Sequence, residues 1–326
     1  MGELSAVRYE PLTERVFCHK NDTLSGTACA VPPSPEGEAR GKEVICLRAD
    51  CHIHMVLDGV EWKSAIARHS KAPNEKFIRE KLDIYRALGY TYLRDGGDKW
   101  GVGTKARALA ADYGITYRTP LSPLCRAGHY GSFIGTSYEN LKEYAGFVVK
   151  TRESGGDFIK IMISGLMDFD RFGVLTQPGL DPGEIAELIH IAHDEGMAVM
   201  AHANGADTVL AAAQAGVDSV EHGAYLQEDA LCAMKENGTV WVPTLSTIGN
   251  LRGKGRFSEA DVEKILESAL KNVEIYHRMG GLLAAGTDAG AWAVPHGSTT
   301  EEGYLAMAGV DENALQRGLS AIRAKF

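Results

Sequence analysis

His52 and His54 stand two residues apart in Ala49-Asp50-Cys51-His52-Ile53-His54, directly after the apolar run Val44 to Leu47. On an extended strand, residues i and i+2 face the same side, so the two imidazoles lie next to each other where the strand ends. Such a pair suits one metal ion. Histidines of this spacing also occur as ordinary strand residues, and the later strand ends decide between the two readings. Phe158-Ile159-Lys160-Ile161-Met162 carries a lysine inside an apolar run. Ala201-His202-Ala203-Asn204-Gly205, Glu221-His222-Gly223 and Gly286-Thr287-Asp288-Ala289-Gly290 each close an apolar or β-branched stretch with a ligand-type residue. Singly, His202 and His222 read as core histidines and Asp288 as a turn or helix cap. Lys160 is harder to place, because burying a lysine is costly unless it is neutral or paired. A neutral lysine is nucleophilic and can take up CO2 as a carbamate, whose two oxygens can bridge two cations. Two divalent ions on neutral imidazoles need anions, which a carbamate, Asp288 and a bridging hydroxide would supply. Coincidence at five strand ends is improbable, so the joint functional reading prevails.

The elements that must position these residues follow a regular rhythm. Strands are expected at about 44–54, 91–96, 115–124, 157–163, 197–202, 217–222, 239–245 and 282–287, with amphipathic helices in most intervals. Asp181-Pro182-Gly183-Glu184 supplies an N-cap, a proline at the first helical position and a capping-box acid, ahead of the stripe Ile185, Leu188, Ile189, Ala192. A second helix starts at Ser258 and carries Val262, Ile265, Leu266, Ala269, Val273 and Tyr276 on one face. Further helices are expected over 138–153 and 205–215. Eight strands alternating with helices predict an α/β fold, a (β/α)8 TIM barrel over 44–326. A doubly wound sheet is the alternative, but no Gly-rich fingerprint follows the first strand. Residues 1–43 read as a short, incomplete β segment ending in the Pro-rich linker Val31-Pro32-Pro33-Ser34-Pro35.

The 326 residues are 44% apolar and 24% charged, with a net charge of −9 and no basic cluster, which argues against a nucleic-acid or anionic-membrane partner. No signal-like N-terminus or bilayer-length apolar span is seen, so a cytoplasmic protein acting on a small molecule is expected. The six cysteines form no CxxC pair and are expected as free thiols.

On the stretches quoted above, together with Thr91-Tyr92-Leu93-Arg94-Asp95-Gly96-Gly97, the chain from about Gly41 to Leu319 resembles the amidohydrolase superfamily, most closely its prolidase-like and imidazolonepropionase-like branch. The resemblance implies a barrel with a metal centre and hydrolytic chemistry. Carried over residue by residue, it implies that His52, His54 and Asp288 bind a buried metal and His202 and His222 a more exposed one, with carboxylated Lys160 as the bridge. The strand-four lysine favours the binuclear, prolidase-like members. Two departures stand out. The superfamily's small β-sandwich, built from both chain ends, is expected to lack half here, and strand one has Cys46-Leu47-Arg48-Ala49 in place of Pro-Gly.

The expected activity is metal-dependent hydrolysis of an amide, in a dipeptide or N-acyl amino acid, by a metal-bridged hydroxide. Asp288 serves as general base and then acid. The expected cofactors are two divalent metal ions, with zinc as the first candidate, and the expected assembly is a homo-oligomer. His129 is a candidate for holding the substrate carbonyl or carboxylate, and Tyr225 for donating a hydrogen bond to the carbonyl oxygen. Arg94 would meet a carboxylate or pair internally with Asp95, and His296 is expected at the rim. The loop Ser164 to Leu180 reads as a lid or substrate-binding element. Hydrolysis of a cyclic amide, ester or lactone on the same centre is the alternative, and a barrel that binds metal or ligand without turnover is the reading from another class.

Overall fold

The barrel is assembled from strands so short that their pairing, more than their length, defines the architecture. In a computed structural model, which describes residues 48–326, they are β1 (Arg48–Ile53), β2 (Tyr90–Asp95), β3 (Thr116–Arg118), β4 (Leu124–Arg126), β5 (Thr136–Tyr138), β6 (Ile159–Met162), β7 (Val199–Ala203), β8 (Ser219–His222), β9 (Val240–Val242) and β10 (Leu282–Leu283). The β segment and linker expected over 1–43, and with them His19, lie outside the described residues.

All strand pairs are parallel, in the orders β1-β2-β3 and β10-β9-β8-β7-β6-β4-β5. Main-chain bonds join the two runs. Cys51 N donates to Ala285 O at 2.9 Å and Asp288 N to His52 O at 2.7 Å, which closes β10 onto β1. Asp157 N donates to Thr119 O at 3.0 Å across the other gap. The result is the parallel α/β barrel expected from the alternation.

The single strand expected at 115–124 is broken. Pro120 and Pro123 lack the N–H that a ladder requires, so β3 pairs with β2 and, past the interruption, β4 pairs with β6. β5, alongside β4, is an addition too short to show a pattern.

Period-two alternation assigns the two faces of each strand. In β6, Ile159 and Ile161 join the apolar layer under the helices, while Lys160 and Met162 line the interior cavity. In β7, Val199, Ala201 and Ala203 join that layer, and His202 lines the cavity.

Helices form where the local signals place them. Asp181 accepts from Gly183 N and Glu184 N at the start of Pro182–Asp194, whose stripe of Ile185, Leu188, Ile189 and Ala192 is fully buried. Each of the large apolar side chains in that stripe contributes roughly 1.5–3 kcal/mol of burial. Glu184 does not complete the capping box: its carboxylate pairs with Arg126 instead. Ser258 Oγ caps Glu259–Arg278 by accepting from Asp261 N. The helices Leu141–Glu153 and Ala206–Gln214 fall within the expected ranges. Deep in the barrel, Phe158 and Phe326 stack edge to face at 5.2 Å, with the Arg94 guanidinium 4.5 Å above the Phe326 ring. Among the described residues no helix is long and apolar enough to cross a membrane.

Candidate metal centre

β1 ends in a turn that keeps both of its histidines facing inward. The Asp50 carboxylate holds this turn in place: it accepts from Thr287 Oγ1 at 2.6 Å, Thr287 N at 2.9 Å and His52 N at 3.2 Å. Asp288, in the left-handed region at φ +59°, is thereby delivered beside His52.

The His54 Nε2–His52 Nε2 and His54 Nε2–Asp288 Oδ1 separations are each 3.4 Å, and His52 Nε2–Asp288 Oδ1 is 3.6 Å. Two ligand atoms about 2.0–2.1 Å from one tetrahedral ion lie roughly 3.3–3.4 Å apart, so this triangle has the size of one face of such a site. His222 adjoins it, and ligand atoms of His52, His222 and Asp288 fall within 4.8 Å of one another. The His202 and His222 rings are 4.6 Å apart, and those of His52 and His222 5.1 Å. Lys160 Nζ is buried among these groups.

Acceptor-only partners set the tautomers of His52 and His202. His52 Nδ1 lies 2.6 Å from Glu221 Oε2, and a carboxylate oxygen only accepts, so Nδ1 carries the proton and Nε2 presents its lone pair to Asp288. His222 Nδ1 is 2.6 Å from Thr244 Oγ1, a hydroxyl that can donate or accept, and 4.0 Å from Asp288 Oδ2. His202 Nε2 donates to Gly165 O at 3.2 Å, so its bare nitrogen is Nδ1.

Burial, followed by repulsion from Lys160 and from the other imidazoles were they protonated, pushes all four imidazoles down: His54 and His202 to about 3, and His52 and His222 well below the usual range. They are neutral donors. Burial also drives Lys160 toward the free amine and Asp288 toward the acid. Lys160 Nζ, Asp288 Oδ1 and His54 Nδ1 are buried without a hydrogen-bond partner, a costly arrangement for polar atoms. A divalent cation fits this donor set: it would take the bare lone pairs and return Asp288 to the carboxylate.

The group forms part of the wall of a cavity of about 700 Å³ that also includes Tyr130, Phe169 and Trp292. Part of the loop expected as a substrate element borders it through Leu166, Met167, Asp168 and Phe169.

Known proteins share the fold that carries these residues. The model of the amidohydrolase family matches residues 109–324. The chain belongs to the amidohydrolase family. An ochratoxinase of Aspergillus niger is 26% identical over 312 residues, covering 84% of this amidohydrolase and 62% of that protein. An uncharacterized protein of Mycobacterium tuberculosis is 33% identical over 268 residues, with 78% and 65% covered. The amidohydrolase thus spans about 62–65% of the length of these curated relatives. Among solved structures, a Xaa-Pro dipeptidase with bound methionine superposes with a TM-score of 0.67 at 22% identity, over 85% of this chain and 75% of that one; this likeness shows the fold.

Other residues singled out in the sequence fall elsewhere. His129 is half-buried in the turn after β4 and is not part of the cavity wall, where its neighbour Tyr130 stands 4.8 Å from the His202 ring. Tyr225 is also outside the wall: its hydroxyl lies against the Gly173 backbone and its ring meets Phe172 edge-on at 5.5 Å. Arg94 meets no open space. It is fully buried and pairs with Glu221 at 2.8 Å, not with the adjacent Asp95. His296 is no rim residue, being buried between Tyr85 Oη and Leu57 O, each 3.0 Å away. Cys51 packs with Tyr92 and Val242, and the described cysteines are free thiols. Glu221 and Thr244 were not anticipated as partners of the histidines. The only hint of Glu221 was a carboxylate embedded in the apolar run before His222.

Proposed function

We propose that this amidohydrolase cleaves the amide bond of a small molecule, a dipeptide or an N-acyl amino acid, with two divalent metal ions, zinc first among them. The observation that carries the reading is the triangle of ligand-type atoms on His52, His54 and Asp288, together with the unpartnered buried amine of Lys160. His52, His54 and Asp288 would hold one ion and His202 and His222 the other. Lys160, once carboxylated, would lie between them. In forming that carbamate the Nζ lone pair bonds to the carbon of CO2 and the nitrogen gives up a proton. The ions would acidify a water and withdraw electron density from the scissile carbonyl.

The remaining roles belong to the chain. Asp288 accepts the proton that the attacking water loses. As the C–N bond breaks, it returns that proton to the departing nitrogen, so water and amide are consumed and an acid and an amine released. Glu221 keeps His52 in the tautomer that leaves Nε2 bare. Aromatic and aliphatic side chains beside the centre would lower the local polarity, which strengthens each electrostatic contact there.

The deciding experiment is elemental analysis of protein purified with bicarbonate, paired with a panel of dipeptides, N-acyl amino acids, cyclic amides and lactones. About two ions per chain and turnover of linear amides are expected. Turnover confined to the cyclic substrates would move the reading to that class. Tight metal binding with no turnover on any substrate would leave a binding protein.

A further inference from the structure

Beyond the metal centre, the cavity wall carries two runs of aromatic rings and one cation without an acidic partner. The first run descends from the exposed Trp62 to Phe133 at 5.6 Å, to Tyr130 at 5.7 Å and on to the metal-centre residue His202 at 4.8 Å. The second comprises Phe169, Phe257 and Trp292, with centroids 5.3 and 6.1 Å apart. Over this run sits Arg256, its guanidinium 4.5 Å above Trp292 and 5.2 Å above Phe257.

The charges in the wall separate cleanly. The Asp168 carboxylate is engaged by Arg171 at 2.6 and 2.8 Å, and that of Glu61 caps a helix by accepting from Lys63 N and Ser64 N. Among the described residues Arg256 has no hydrogen bond or ion pair; its neighbours are the two ring faces. Stacking occupies the face of a guanidinium and leaves the N–H donors along its edge free, in a fork that matches a carboxylate. Arg256 is exposed, and a cation stacked on aromatic rings in the cavity wall, with its donors free, is a recognition point for an anion.

We infer that Arg256 is a specificity-determining residue that holds the free carboxylate of the substrate. The Trp62–Phe133–Tyr130 wall takes a flat apolar group on the other side of the scissile bond. The substrate class is therefore an N-aroyl or similarly aromatic N-acyl amino acid bearing a free carboxylate. This rests on the amide-hydrolase reading above and narrows it.

The test uses the zinc-loaded enzyme with N-benzoyl-L-phenylalanine and the matching C-terminal carboxamide, in wild type, Arg256→Gln and Arg256→Lys. It adds calorimetric binding of N-benzenesulfonyl-L-phenylalanine, which keeps the carboxylate and has no carboxamide bond to cleave. Wild type is expected to favour the acid over the carboxamide by about ten-fold or more in kcat/KM. Arg256→Gln should collapse that ratio to within about two-fold, through KM, and weaken the sulfonamide by about ten-fold; Arg256→Lys should retain part of both. A ratio that persists in Arg256→Gln, or sulfonamide affinity indifferent to Arg256 or absent in wild type, overturns the assignment. Arg256-dependent sulfonamide binding without hydrolysis of either amide would sink the amide-hydrolase reading and leave the anion site standing.

Discussion

His52 Nδ1 and Glu221 Oε2 are 2.6 Å apart in the barrel interior, and this contact couples the candidate metal centre to the buried charge network of the sheet. The other Glu221 oxygen accepts from Arg94 Nη2 at 2.8 Å and Ser219 Oγ at 2.6 Å, while Arg94 Nε donates to Cys51 O at 2.7 Å, next in the chain to His52. One carboxylate thus orients the His52 imidazole and neutralises the buried guanidinium.

Glu221→Gln should fail on both counts. The amide no longer compels Nδ1 of His52 to carry the proton, and Arg94 is left without its counter-charge. Metal affinity is expected to fall about 10–100-fold, and the melting temperature should drop, as breaking a buried pair costs about 3–5 kcal/mol. Chelator competition and thermal melts check the two effects separately; unaltered affinity would remove Glu221 from the centre.

Lys160→Met separates stability from loading. The side chain is 1% exposed and its amine has no partner, so an apolar chain of similar length relieves a desolvation cost. Metal-free protein should melt no lower than wild type, whereas elemental analysis should find about one ion per chain fewer after loading. A variant that still holds the wild-type complement would show that the lysine is no ligand.

Gly96→Ala probes a close approach. A methyl group on Gly96 would run into the imidazole of His54, meeting Cε1, Nδ1 and Nε2. The ring must turn away, so the variant should fold with near-native circular dichroism and lose about ten-fold or more in kcat. Full activity would mean that His54 is dispensable in that orientation.

Asp95 gives a pH signature. Burial, then the Asp98 charge, raises its pKa from 3.8 to about 7. The folded chain therefore keeps this proton up to about pH 7, while the unfolded chain releases it near 4. The contribution is fully present below the unfolded value and lost as pH rises through 7. Asp95→Asn, neutral throughout, should flatten the decline in melting temperature between about pH 4 and 7. Melts across that range would show parallel wild-type and variant curves if Asp95 did not titrate so.

What was readable along the chain was local. Asp181-Pro182 and Ser258 start helices because a cap acts on amides two or three residues away, and the apolar stripes behind them repeat every turn. The break in the third strand was written in Pro120 and Pro123, yet the apolar residues on either side made one strand seem continuous. Partnership across the barrel was not readable. Glu221 is 127 positions from Arg94 and 169 from His52, so nothing near it indicated which cation or imidazole it serves. The same limit applied to His129 and Tyr130: adjacent residues face different surroundings, and only the folded loop shows that the tyrosine borders the cavity.

The anchoring of Asp288 through Thr287 and Asp50 has a consequence for biogenesis. Those two partners are 237 positions apart, so a chain emerging from the ribosome has His52 and His54 long before it has the residue that completes their triangle. Any ion caught earlier would be bound by a partial set of donors and be easily lost. Because long-range closure is slow in assembling parallel sheets, tight loading would wait for β10 to dock on β1. The metal would then act as a seal on the finished barrel, stabilising only molecules in which both ends of the ring have met.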